Sequence, residues 1–317
     1  MPEVSVIIVC MNRLDNLYPC LESLRANTSV DFETLVVAYM FTPGNLAKAK
    51  ADFPWVEFIE SNEPRGFSEN NNLALKRARG RFCFVLNDDT ELSCPVIDTL
   101  VSDFGTLPGD AAIISPKIYS GDGSLQLCGR PPHNGWHYFL QQCHLWHENA
   151  DNVSGKEPVS GSIYRTFDIT GAAFLIRTDI FRELGWFDET YFFTPEDMAL
   201  STLAREKGYG IYVDAGTCLV HKWRTTASRI SMAVRPAAVR GSLIFFSRGS
   251  KARYMALGAG VWCAETLKRI KAGIKATIAP SQENFVAYLT FKNITKNIFT
   301  GKSPKEIFIK YFKELNG

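Results

Sequence analysis

Val4–Cys10 (VSVIIVC) opens the chain with an unbroken β-branched run, the pattern of a strand buried on both faces. After a polar turn in which Asn12 is placed to cap a helix, Leu14, Leu17, Leu21 and Leu24 recur at helical spacing. Phe32–Ala38 reads as a second strand, Leu46–Asp52 as a short helix and Val56–Glu60 as a third strand. Phe67–Ala78 carries a helical pattern, and Arg81–Leu86 is a fourth strand that runs into Asn87-Asp88-Asp89. Strands alternating with helices at this spacing predict an α/β fold with a mostly parallel sheet flanked by helices. Ligands of such sheets bind beyond the carboxyl ends of the strands, where Asn87–Asp89 stands.

The pattern continues less cleanly. Pro95–Leu107 predicts a helix and Ala111–Ser115 a strand, whereas Ser120–Ser162, rich in Gly, Pro, His, Trp and Asn, has no clean period and reads as a functional insertion. Phe174–Arg177 resumes strand character, and Arg177–Leu184 and Asp197–Lys207 read as helices. Gly210–Val213 and Cys218–His221 read as two closing strands. From Val234 on, helical patterns mix basic and apolar residues, as in Leu267–Ile278 and Pro304–Leu315. The expected division is a sheet domain over residues 1–235, with an acceptor-side insertion at about 120–162, and a helical basic extension over 236–317.

Charge sharpens that division. The 317 residues sum to +2, yet residues 240–317 hold 14 Lys/Arg against 4 Asp/Glu, so this stretch carries +10 and the remainder −8. Such a tail either prefers an anionic surface or forms a solvated helical face. The eight cysteines form no C-x-x-C pair and read as reduced core residues. No run approaches the roughly 18–20 apolar residues of a spanning helix, and no leader pattern opens the chain. The expected location is the cytoplasm, with peripheral contact at the inner face of the cell membrane through the basic C-terminal region. The aromatic residues of the tail form no stacking platform, so nucleic acid is not an expected partner.

Four constellations can carry chemistry. Asn87-Asp88-Asp89-Thr90, after an apolar strand, suits a divalent ion bridging phosphates, and equally suits a turn. Glu196-Asp197 lies ahead of a helix, where a carboxylate either deprotonates a hydroxyl or caps the helix. His221 ends a strand as a metal ligand or as a structural imidazole, with Lys222 and Arg224 beside it to face phosphate or water. His133, His137, His144 and His147 sit among Trp136, Tyr138, Phe139 and Trp146, a setting for a sugar-stacking loop or, without a paired C-x-x-C half, for zinc.

In order and spacing these pieces resemble family 2 glycosyltransferases of the GT-A fold, especially their bacterial rhamnosyltransferase-like branch, over roughly residues 3–248. VSVIIVCMNR is similar to the family's opening strand and donor-contacting turn, and Asn62–Phe67 with Asn70–Asn72 to its N-x-G-F-x-x-x-N-N segment. LNDDTEL resembles L-N-N-D-T, Ile169–Ala173 the acceptor-side S-G-A-A stretch, Leu184–Glu189 G-G-F-D-E, and Thr194–Asp197 the E-D motif. The resemblance implies a GT-A, Rossmann-like domain that transfers a sugar with inversion from a nucleotide-sugar donor, UDP- or dTDP-linked, to a hydroxyl of a glycan or lipid-linked acceptor in cell-envelope polysaccharide synthesis. By carry-over, Val9, Asn12, Arg13, Tyr39, Arg65, Gly66, Asn71, Asn87 and Asp88 would touch the donor. Asp89 and His221 would hold Mn2+ or Mg2+, Gly171, Ala172 and Trp186 would face the acceptor, and Asp197 would be the base beside Glu196. Two departures stand out: Ala38 replaces the acid that ends the family's second strand, with Tyr39 beside it, and Ala199 replaces the second acid of E-D-x-D-L. They make a catalytically inactive sugar-nucleotide binder or complex partner the alternative.

Overall fold

The computed structural model describes residues 1–148, 157–222 and 230–316, which fall into two compact units. In the first, β1 (Val4–Cys10), α1 (Leu14–Ala26), β2 (Phe32–Tyr39), α2 (Pro43–Asp52), β3 (Val56–Ser61), α3 (Phe67–Leu75) and β4 (Phe82–Asn87) alternate as expected. β5 (Thr90–Leu92), α4 (Val96–Asp103), β6 (Ala111–Tyr119) and β7 (Gly129–Arg130) follow. α5 (Gly135–Gln142) belongs to the second unit. The first then resumes with β8 (Glu157–Ser160), β9 (Ile163–Arg165), β10 (Asp168–Ile169), β11 (Ala173–Arg177), α6 (Thr178–Glu183), α7 (Glu196–Glu206) and β12 (Gly210–His221).

Among the described residues the main sheet runs β3-β2-β1-β4-β11-β6-β12-β9-β8, with β5 paired on β12. β1, β2, β3 and β4 are mutually parallel; β11 lies antiparallel to both β4 and β6, and β12 is parallel to β6. The period-2 alternation of the central strands assigns their side chains to opposite faces. Val4, Val6, Ile8, Phe84, Leu86 and Leu175 enter one apolar cluster, and Ile7, Cys83, Val85, Phe174 and Ile176 the other. Burial on both sides is why these strands read as continuous apolar runs.

Several local expectations change. Asn12 does not cap α1: its Oδ1 accepts from the Thr42 amide (3.1 Å) and Asn45 Nδ2 (2.9 Å), tying the β1 turn to α2, and Arg13 holds the N-cap position without a side-chain bond. The helices expected to reach Ala78 and Leu107 stop at Leu75 and Asp103. The two closing strands are one, β12, with a register shift between Asp214 and Cys218 that hid its continuity.

The second unit gathers residues 133–147, 189–195 and 225–317, so the expected single cut after residue 235 becomes a boundary that the chain crosses repeatedly. Its described helices are α5, α8 (Ser231–Ser247), α9 (Lys251–Ile278), α10 (Gln282–Asn297) and α11 (Pro304–Asn316). Apolar packing draws the early segments in: Tyr138 joins Val239, Leu243, Val261, Ile294 and Ile298, and Phe192 stacks on Phe308. Gly260 of α9 faces the Phe139 ring, where a Cβ would stand only 2.9 Å from it, so glycine permits this approach. Among the described residues no helix is long and apolar enough to cross a membrane.

Candidate active site

The site residues meet at one edge of the sheet because of strand direction. β1, β2, β3 and β4 are parallel, and an antiparallel β11 between β4 and β6 makes β6 and β12 point the same way. Cys10–Arg13, Tyr39, Ser61–Gly66, Asn87–Asp89 and His221 therefore leave their strands at the same edge, where Gly171 and Ala172 enter β11. Strand order also reverses there, since β2 and β3 lie on one side of β1 and β4 on the other. A crevice opens at such a switch point.

On the donor side, Val9 ends β1 opposite Val37 and Asn87. Arg13 is held by Asp15 at 2.6 Å and Arg65 by Glu63 at 2.7 Å. Tyr39 is 4% exposed, and its hydroxyl accepts from the Arg65 amide at 3.2 Å, so it braces β2 against the loop after β3 rather than offering a ring face for stacking. Gly66 starts α3, its amide bonded to Glu69. Asn71 is buried with its amide nitrogen on the Phe67 carbonyl, while Asn72 clamps both backbone groups of Phe187. Burial, reinforced by the charge of Asp89, pushes the Asp88 carboxyl up to about 7, and a hydrogen bond with the Cys10 thiol offsets part of the shift.

Asp89 and His221 form the centre of the site. His221 Nε2 stands 3.1 Å from Asp89 Oδ1 and 3.3 Å from Asn87 Nδ2. Pairing of β5 with β12 sets His221 opposite Thr90, and the Lys222 amide donates to the Asp89 carbonyl at 2.9 Å. Gln126 orients the ring: its Nε2 donates to the His221 carbonyl (2.8 Å) and to Ser120 Oγ (3.1 Å), which leaves Oε1 to accept from Nδ1–H at 2.9 Å. The Nε2 lone pair then accepts from Asn87 Nδ2 and lies beside the Asp89 carboxylate. An imidazole nitrogen and a carboxylate oxygen side by side, with the outer ring nitrogen pinned, are a donor set that fits a hard divalent cation. Among the described residues no three His, Cys, Asp or Glu side chains gather to hold a metal, so the remaining ligands would be phosphate oxygens or water.

The second acidic group begins α7. Asp197 Oδ1 accepts from the Met198 amide at 2.8 Å, capping its own helix, while Oδ2 accepts from Arg130 at 2.5 Å and from the Gly171 amide at 3.3 Å. Capping and a chemical role are thus compatible here, one oxygen serving each. Arg130 also donates to the Ile169 carbonyl at 2.9 Å. Glu196 is buried, with Oε2 lacking a hydrogen-bond partner among the described residues; burial, and then the neighbouring Asp197, hold its carboxyl well above the ordinary range.

The two acidic groups are joined through the β11 entry. Asn87 N donates to the Ala172 carbonyl at 2.9 Å, and the preceding Gly171 donates to Asp197. Two hydrogen bonds to that dipeptide thus link Asn87, two residues before Asp89, to Asp197. Trp186 stands elsewhere in the helical layer, packed on Phe181 with Arg182 over its ring, while Phe67, in contact with Phe187, reaches the surroundings of Gly171.

Gln126 and Arg130 were not legible in the sequence as site residues, because both lie in the aperiodic insertion; Gly129 was the signal, since a Cβ there would meet Thr166 Oγ1 at 2.8 Å. The imidazoles of the insertion pack as rings: His137 stacks on Trp146 at 5.0 Å, and His133 lies edge-on to both. Arg224 lies outside the described residues.

The chain is 27% identical over 243 residues to the O-antigen biosynthesis protein RfbC of Myxococcus xanthus, an alignment covering 74% of this chain and 18% of that protein. This chain therefore matches about a fifth of that relative's length. Among solved structures, a GalNAc-T7 crystal structure with UDP, GalNAc and Mn2+ superposes with a TM-score of 0.54 at 15% identity, over 71% of this chain and 45% of that one. The mannosyltransferase PcManGT of Pyrobaculum calidifontis, in complex with GDP-Man and Mn2+, gives 0.52 at 14% identity, over 99% and 86%. These likenesses show the GT-A fold. The sequence model of Glycosyl transferase family 2 matches residues 5–185, more than half of the chain, and the chain belongs to that family.

Proposed function

We propose that the protein is an inverting, metal-dependent glycosyltransferase that moves a sugar from a nucleoside diphosphate donor to a hydroxyl of a growing or lipid-linked surface polysaccharide. The observation that carries this reading is the juxtaposition of Asp89–His221 and Asp197–Arg130 across Gly171–Ala172. The O-antigen biosynthesis relative supports a glycan acceptor, and the UDP and GDP-Man bound by the two structural neighbours support a sugar on a nucleoside diphosphate.

In this mechanism Asp89 and His221 would hold a divalent cation, which would supply charge stabilisation for the departing diphosphate. Arg13 and Arg65, at the ends of β1 and β3, flank the donor phosphates. Asp197 Oδ2 accepts the proton of the acceptor hydroxyl as its oxygen bonds to the anomeric carbon and the bond from that carbon to the diphosphate oxygen breaks. Arg130 and the Gly171 amide fix the direction of Oδ2. Burial, and then the charge of Asp197, raise the Glu196 carboxyl and so favour its neutral form beside the base.

The test is a transfer and hydrolysis assay on a panel of UDP-, dTDP- and GDP-sugars, with Mn2+, with Mg2+ and with chelator. Metal-dependent release of nucleoside diphosphate, lost in Asp89→Ala and in Asp197→Asn, is the expected result. Donor binding without turnover over the whole panel would favour the inactive-binder alternative.

A further inference from the structure

The C-terminal half of α9 has the wrong surface for a helix that only meets water. Of the thirteen large apolar side chains exposed among the described residues, eight fall between Met255 and Phe299. Leu267, Ile270, Ile274 and Ile278 recur at intervals of three and four residues, each more than half exposed, and so form one stripe. The buried residues of α9 end at Glu265. Beyond it the helix runs on for about 20 Å as an arm without a buried residue. α10 returns against this arm: Tyr288 lies beside Gly273, and Phe285, in the first turn of α10, is 55% exposed. Between the two helices lies a groove of about 450 Å³, walled by Ile270, Ile274 and Ile278 with Tyr288 opposite.

Charge identifies what this face meets. α9 carries Lys251, Arg253, Lys268, Arg269, Lys271 and Lys275 against one acid, Glu265, which is buried and paired with Lys268 at 2.6 Å. Lys271 and Lys275 are exposed and, at 100° per residue, border the apolar stripe. An apolar stripe edged by uncompensated lysines fits a surface with acyl chains beneath anionic headgroups. A protein groove would cover the stripe but leave the lysine edge without counter-charge. We propose that the α9–α10 hairpin docks the protein on an anionic lipid bilayer, with Leu267, Ile270, Ile274, Ile278 and Phe285 entering the acyl boundary and Lys271 and Lys275 meeting the headgroups.

The test is sedimentation of the full chain with sucrose-loaded vesicles of phosphatidylcholine alone, or with phosphatidylglycerol added, at low and high salt. The wild type is expected to pellet with the anionic vesicles only and to be released by salt. Ile274→Asp combined with Ile278→Asp, at exposed positions, weakens pelleting about tenfold or more, as does Lys271→Glu combined with Lys275→Glu. Both variants keep the wild-type melting temperature; should the aspartate pair fail to fold, the lysine pair decides alone. Equal pelleting with neutral vesicles, no pelleting, or variants that pellet like the wild type would overturn the proposal. So would light scattering that shows a dimer dissociated by Ile274→Asp, which would make the stripe a contact between copies. The readout is binding, so its failure is distinguishable from failure of the catalytic reading.

Discussion

Along the carboxyl edge of the sheet, polar side chains are buried and paired, whereas on the outer half of α9 apolar side chains stand in water. At the edge, Asp89, His221, Gln126 and Asp197 are each held by partners within 3.3 Å. On α9, Leu267 and Ile278 are among the most exposed apolar side chains of the described residues. Each arrangement costs stability in a folded chain. Desolvated acids are the price of a fixed geometry, and exposed isoleucines keep a surface ready for association. The lesson is that the inside-outside rule is broken in both directions at the two places where function is proposed.

Substitutions can break or sharpen this contrast. The largest effect is expected from Asp89→Ala, which should lower metal-dependent transfer by about a hundredfold or more, while Ile274→Asp leaves turnover of a water-soluble acceptor unchanged. A rate assay on both variants checks this; equal losses would erase the distinction. Arg130→Ala leaves Asp197 desolvated without its partner and should cost about 3 kcal/mol of stability, read as a lower Tm, because a buried charge stripped of its counter-charge is far costlier than an exposed one. Gln126→Leu frees the outer nitrogen of His221 and should weaken Mn2+ affinity roughly tenfold, measured by the metal-induced rise in Tm.

The effect of Glu196→Gln depends on pH. The carboxyl of Glu196 is raised from 4.5 to about 8 in the folded chain, so the native state holds a proton that the unfolded chain has released across that window. Stability of the wild type therefore falls as pH rises through it. Glutamine lacks this loss, so the variant should melt a few degrees above the wild type near pH 8 and together with it near pH 4. An advantage constant with pH would mean that Glu196 does not titrate in this window.

The sheet was legible because double-sided burial leaves runs such as VSVIIVC and RFCFVL that nothing else explains. Asp89, Asp197 and His221 were legible because each stands at a predicted strand or helix end, and the direction of the elements carries them to one edge. Their partners were not. Gln126 and Arg130 act through contacts 95 and 67 residues away in sequence, from a segment whose lack of period is what a reading by periodicity discards. The segments around Tyr138 and Phe192 could not be assigned for the same reason: they join the helical unit by packing, and packing partners leave no trace in local spacing.

Gln126 and Arg130 are four residues apart on one short stretch, pinned beside Gln126 where the Thr170 hydroxyl donates to the Leu127 carbonyl. One end holds the His221 imidazole and the other the Asp197 carboxylate. The five residues act as a common rail: a slip of the stretch along its length would shift both side chains at once.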